Sequence, residues 1–188
     1  MSKFAFQVYK MQKEIIVIIG GPGSGKTSII ENLKAKGFCC FEEVSRQVTL
    51  DAKAQGIDQL FLTDPNLFSQ KLLEGRITQF KDANENEHNI VFIDRGIPDI
   101  VAYMEYIGDD YLAEFHVASL ENIYSKIFVL PPWQEIYVSD NERYESYKQA
   151  QEIHVHLVNT YKLYGYDLIY VPKDTIENRV LYILDKLK

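Results

Sequence analysis

The run Gly20-Gly21-Pro22-Gly23-Ser24-Gly25-Lys26-Thr27 carries the strongest chemical signal in the chain. It reads glycine, four intervening residues, then Gly-Lys-Thr, the spacing of a loop that wraps phosphate groups. Phosphate oxygens need several donors at close range, and glycines let the backbone approach and turn its N–H groups inward. A helix that starts directly after the loop adds its unpaired N–H groups and the positive end of its dipole. Lys26 is expected to reach the β- and γ-phosphates, and the Thr27 hydroxyl to ligate Mg²⁺. The loop therefore predicts ATP, or another nucleoside triphosphate, held with Mg²⁺ by Gly21, Pro22, Gly23, Ser24, Gly25, Lys26, Thr27 and Ser28. It does not by itself say where the γ-phosphate goes.

Further residues have the types that phosphate chemistry uses. Asp94 ends the apolar run Ile90-Val91-Phe92-Ile93 and is expected to hold Mg²⁺, directly or through water, opposite Thr27; the competing reading is a helix N-cap. Arg95 beside it is a candidate for gripping a substrate hydroxyl or phosphate, or a carboxylate partner such as Glu43. Glu43 follows the second strand, where a carboxylate can accept the proton of an attacking alcohol; a solvated surface acid is the alternative. Arg46, one helical step later, is a candidate substrate-binding residue. Arg143 follows a Pro-Pro-Trp segment, where an arginine on a mobile cover would close over a transferring phosphate; an ordinary helix-surface arginine is the other reading. Trp133 suits a wall of the site or an anchor at the edge of the core. His154 and His156 are two apart, which splits them across a helix and argues against a shared metal. Asp99, after Pro98, reads as a cap rather than a catalyst.

The elements that must position these groups follow from hydrophobic pattern. Residues 14–19 read as a first core strand and 26–36 as a helix stopped by Gly37. A strand is expected at 38–41, a helix at 44–56, and another helix starting from Asp64-Pro65 by the cap-then-proline rule, with Phe68, Leu72, Ile77 and Phe80 on one face. Residues 82–89 read as a polar turn before the strand at 90–93. Helices are expected at 99–107 and 110–123, and a strand at 127–130 stopped by Pro131-Pro132. Ser139 with Glu142 reads as a capping box opening a helix to about 163, ended by Gly165. A strand at 168–171 and a helix at 174–187 complete the pattern. Short continuous apolar strands alternating with helices predict an α/β fold, a parallel sheet covered on both faces. Ligands of such sheets sit at the carboxyl ends of the strands, where residues 20–27, Glu43, Asp94-Arg95 and 131–143 all fall. Phe4, Phe6 and Val8 alternate, so residues 1–13 read as an edge strand or a loose arm.

Composition narrows the partners. The chain has 188 residues, 46% of them hydrophobic and 13% aromatic, enough for a substantial core. Its 20 basic and 27 acidic residues give a net charge of −7, the opposite of a duplex-binding surface, so no nucleic-acid partner is expected. No apolar run approaches a membrane span. Cys39 and Cys40 are adjacent, a poor disulfide framework, and the first residues lack a signal-peptide layout; both predict a reducing cytoplasm.

Four segments together carry a resemblance: the loop Gly20–Thr27, Glu43-x-x-Arg46, Phe92-Ile93-Asp94-Arg95-Gly96-Ile97-Pro98-Asp99, and Leu130-Pro131-Pro132-Trp133-Gln134-Glu135-Ile136-Tyr137. Across about residues 14–187 the chain resembles a family of small P-loop ATPases grouped with AAA domains and related to the nicotinamide riboside kinase domain. The resemblance implies a single three-layer P-loop domain over 14–188. It further implies a five-stranded parallel sheet in the order 2-3-1-4-5, with a helical lid at about 131–145. A signalling GTPase is disfavoured, because Asp94 is not followed by the Asp-x-x-Gly switch and no Asn-Lys-x-Asp occurs. The leading expectation is an ATP/Mg²⁺-dependent phosphotransferase acting on a small hydroxyl-bearing acceptor of nucleoside-like type, with Lys26, Asp94, Glu43 and Arg143 as its catalytic set. The alternative is a nucleotide-binding regulatory module that hydrolyses slowly.

Overall fold

The computed structural model describes residues 13–137 and 145–187. In chain order the elements are β1 (Glu14–Ile19), α1 (Lys26–Ala35), β2 (Cys39–Phe41), α2 (Val44–Ala54), α3 (Leu60–Thr63), α4 (Pro65–Glu85), β3 (Ile90–Asp94), α5 (Pro98–Ile107), α6 (Ala113–Glu121), β4 (Lys126–Val129), α7 (Tyr147–Leu163), β5 (Leu168–Tyr170) and α8 (Ile176–Asp185). The strands pair in parallel in the order β2-β3-β1-β4-β5.

The central strand explains the layering. Alternate side chains of β1 point to opposite faces. Ile15, Val17 and Ile19 pack with Ala83, Ala102, Ile153, Leu157 and Tyr161 from α4, α5 and α7. Ile16 and Ile18 pack with Ile29, Ile30, Leu33, Val180 and Ile183 from α1 and α8. A strand with helices on both faces has no polar side, which is why β1 reads as an unbroken apolar run. A third cluster, including Val48, Leu73, Ile100, Met104 and Phe115, fastens α2, α4, α5 and α6 together.

Register brings the chemistry to one end of this sheet. Ile18 pairs with Asp94, Ile19 with Val129, and Phe41 with Ile93. The loop after β1, the end of β3 and the turn after β2 therefore lie side by side.

The helix expected from a Ser139–Glu142 box instead starts at Tyr147, behind a reciprocal box in which Ser146 accepts from Gln149 N and Gln149 Oε1 accepts from Ser146 N. Ser139, Glu142 and Arg143 lie outside the described residues, as do residues 1–12 of the expected arm. Of the expected lid, the described part is a short 3₁₀ turn, Gln134–Ile136, with its flanks. Residues 82–85, expected as a turn, extend α4, because Ala83 is fully buried against the sheet and holds the helix down for a further turn. Among the described residues no helix is long and apolar enough to cross a membrane.

Candidate active site

The phosphate loop is shaped from several sides. Gly23 (φ +70°) and Gly25 (φ +89°) occupy the left-handed region, and Gly25 caps α1. A side chain on the loop's glycines would collide with its walls. A Cβ at Gly21 would stand 2.7 Å from Ala150 O in the first turn of α7, and one at Gly25 would stand 2.9 Å from Arg179 Nη1 on α8. Ser24 Oγ donates to Gly21 O at 2.8 Å, tightening the turn.

Lys26 is buried and its Nζ donates to Gly20 O at 2.8 Å and Gly21 O at 3.1 Å. Burial, with Arg95 nearby, lowers its pKa to about 8, against the opposing pull of Asp94, Glu43 and Asp99. Thr27 is exposed at the mouth, and its hydroxyl accepts from Arg46 Nη2 at 3.3 Å. Arg46 therefore reaches the phosphate loop from α2.

Asp94 is 5% exposed, and its Oδ1 has no hydrogen-bond partner among the described residues. Burial raises its pKa, Glu43 and Asp99 add to the rise, and Lys26 and Arg95 oppose it. An unsatisfied buried carboxylate oxygen is costly unless a ligand completes it. With the Thr27 hydroxyl, the donor set is all oxygen and suits Mg²⁺, which keeps several waters and takes few protein ligands.

Glu43 is placed opposite. It begins α2 without capping it through its side chain; instead Oε1 lies 2.7 Å from Arg95 Nε. Burial alone would raise the Glu43 pKa, but Arg95, Lys26 and Arg76 outweigh it and lower it to about 2. Burial likewise disfavours the Arg95 charge, and Glu43, Asp99 and Asp94 more than restore it. Arg95 has φ +70°, unusual without glycine, so its side chain leaves the end of β3 in a direction a strand residue would not take.

That backbone is held on every side. Arg95 N donates to Ile18 O, and Gly96 O accepts from Arg76 Nη1 at 2.6 Å. Gly96 N donates to Asp99 Oδ2 at 3.0 Å, and Tyr161 Oη donates to the same oxygen at 2.5 Å. Tyr124 Oη accepts from Ile97 N at 3.0 Å. Gln79 Nε2 donates to Glu42 O at 2.7 Å. Arg76 and Gln79 both belong to α4, so one helix fixes the backbone ahead of Glu43 and the backbone behind Arg95.

The expected residues Lys26, Thr27, Glu43, Arg46, Asp94 and Arg95 thus converge, and Asp99 closes the turn before α5. Trp133 is half-buried, with the Arg179 guanidinium carbon 5.8 Å from its ring centroid. His154 and His156 form no metal cluster among the described residues. Sequence reasoning missed Arg76, Gln79, Tyr124, Tyr161 and Arg179. A signal existed for some of them: Arg76 and Gln79 interrupt the apolar stripe of α4, and Arg179 sits on the buried face of α8 beside Val180 and Ile183.

A family model described as an AAA domain matches residues 15–179. No curated protein matches the sequence. Solved structures share the fold. Deoxyadenosine kinase from M. mycoides, with dCMP and a flexible dCDP bound, has TM-score 0.65 and 17% identity over 92% of this chain and 98% of that one. The NadR protein in complex with NR has TM-score 0.71 and 16% identity over 93% of this chain and 50% of that one. Thymidylate kinase from Ehrlichia chaffeensis has TM-score 0.61 and 18% identity over 94% and 100%.

Proposed function

The chain belongs to this AAA-domain family of P-loop proteins, and from its site we propose that it is an ATP- and Mg²⁺-dependent phosphotransferase acting on the hydroxyl of a small, nucleoside-like metabolite. The observation that carries the reading is the Glu43–Arg95 pair, 2.7 Å apart and within the electrostatic reach of Lys26. A site that only held a nucleotide has no use for a second charged pair facing the phosphate loop. Structures of a deoxyadenosine kinase and a thymidylate kinase share the fold, which supports a nucleoside- or nucleotide-type acceptor.

Each residue then has a task. The loop N–H groups and α1 hold the phosphates, and Lys26 exchanges its carbonyl partners for the β- and γ-oxygens. Thr27 and Asp94 would hold Mg²⁺, which supplies charge neutralisation to the phosphates when bound. Arg95 holds Glu43 ionised and aimed, and Glu43 accepts the hydrogen bond of the acceptor hydroxyl. A carboxylate lowered to about 2 is a weak base. It serves a loose phosphoryl transfer nonetheless, because the hydroxyl becomes acidic only as its bond to phosphorus forms. Arg46, whose Nη2 donates to Thr27 Oγ1, would meet the transferring phosphate.

The test is an acceptor panel of nucleosides and related polyols scored by ADP release with Mg-ATP. A hit should depend on Glu43 and Asp94. ATP turnover that no acceptor stimulates, together with indifference to Glu43→Gln, would move the protein to the slow-hydrolysing regulatory reading.

A further inference from the structure

Arg179 is a buried cation that the chemistry described so far does not use. It lies on the fourth residue of α8, 2% exposed, and its Nη2 donates to Ser24 O, inside the phosphate loop, at 3.0 Å. Its Nη1 stands where any side chain on Gly25 would meet it at 2.9 Å. Its Nε has no hydrogen-bond partner, and no acidic side chain pairs with it among the described residues. Its guanidinium carbon stands 5.8 Å from the centroid of the Trp133 ring, a cation–π arrangement. A buried guanidinium without a carboxylate is expensive to keep, and an apolar residue of similar length would fill the same space between α8 and the loop. The fork matters because it does two things at once. It donates to the carbonyl of the Ser24–Gly25 peptide, and its central carbon stands over the ring of Trp133, the only tryptophan of the chain.

We propose that Arg179 is a positioning residue of the phosphate loop. It fixes the Ser24–Gly25 peptide from the side away from the ligand, so the N–H groups at the start of α1 stay turned toward the phosphates, and it relays the state of the loop to Trp133 in the β4–α7 connection. Burial disfavours the Arg179 charge, and phosphate anions held in the loop restore part of what burial takes away. The proposal rests on reading the loop as a triphosphate site, but not on the identity of the acceptor or on transfer itself.

The experiment titrates Mg-ATP into wild type, Arg179→Met and Arg179→Lys, well below their melting temperatures, following heat and Trp133 emission in parallel. In wild type, ATP changes the emission. Arg179→Met is expected to weaken Mg-ATP binding about tenfold or more, the scale of one charge-assisted hydrogen bond, and to lose most of the emission change. Arg179→Lys keeps the charge but lacks the planar fork, so it falls between. If Arg179→Met does not fold, Arg179→Lys carries the same comparison. A folded variant that binds Mg-ATP within about twofold of wild type, with the emission change intact, overturns the proposal even if its melting temperature falls. ATP turnover that no acceptor stimulates, together with indifference to Glu43→Gln, would overturn the kinase reading and leave this one standing.

Discussion

Glu43 and Arg95 stand at the ends of neighbouring strands, and their side chains meet at 2.7 Å because β2 and β3 run in register, Phe41 beside Ile93. The positive φ of Arg95 turns its guanidinium back toward β2. Glu43→Gln keeps the shape but removes the charge. Turnover on the accepted substrate should fall about 10²–10⁴-fold, while Mg-ATP affinity changes by less than about threefold. Arg95→Lys should mimic part of this loss, since lysine cannot reproduce the fork geometry. Steady-state kinetics and calorimetry on both variants check it; a turnover unchanged in Glu43→Gln removes this carboxylate from the reaction.

Lys26 makes its own contacts within the loop, to Gly20 O and Gly21 O, yet it is a buried cation that burial disfavours. Lys26→Ala should therefore cost little stability and lower Mg-ATP affinity by at least about 100-fold, because the charge serves the phosphates. Calorimetry with a parallel thermal melt separates the two effects. Retained affinity in a folded variant would exclude the triphosphate reading.

Arg76 tests the scaffold rather than the chemistry. Its Nη1 is the donor to Gly96 O, in a turn also held by Asp99, Tyr161 and Tyr124. Arg76→Met leaves that buried carbonyl without its donor, a loss of about 1–3 kcal/mol. The cost should appear in urea-unfolding midpoints, and turnover should fall with it while the nucleotide affinity stays near wild type. Equal stability of the variant would show that Arg76 does not hold the turn.

How much of this was legible depends on whether a residue announces itself locally. The phosphate loop, the parallel sheet and the convergence of Glu43 with Asp94-Arg95 were legible, since each lies in a motif or at the end of an apolar run, while the strand order followed only from the family resemblance. The frame around them was not. Arg76 and Gln79 act on residues 20 and 37 positions away, and Tyr161 reaches Asp99 across 62 positions, separations that no local pattern encodes. The start of α7 was misplaced because two Ser-x-x-Glu/Gln boxes lie within eleven residues, Ser139 with Glu142 and Ser146 with Gln149, and composition alone does not rank them. The positive φ of Arg95 also had no signal, because the usual glycine cue sits one residue later at Gly96.

The pH dependence of stability has a contributor away from the site. His154 on α7 is half-buried, its Nδ1 lacks a partner among the described residues, and burial lowers its pKa below the ordinary value of 6.5. In the unfolded chain the ring takes up a proton near pH 6.5; in the folded protein it does so only at lower pH. Below about 6.5 the unfolded state therefore binds more protons, and stability must fall as pH drops through that window and on toward the folded pKa. Above it, both states are neutral at this position and the contribution is flat. His154→Leu removes the group and fills the same partly apolar space. Urea midpoints at pH 7.5, 6.5 and 5.5 should fall more steeply for the wild type than for His154→Leu, with the two curves converging in slope above pH 7. Parallel slopes throughout would show that the ring is as free to protonate in the fold as in the unfolded chain.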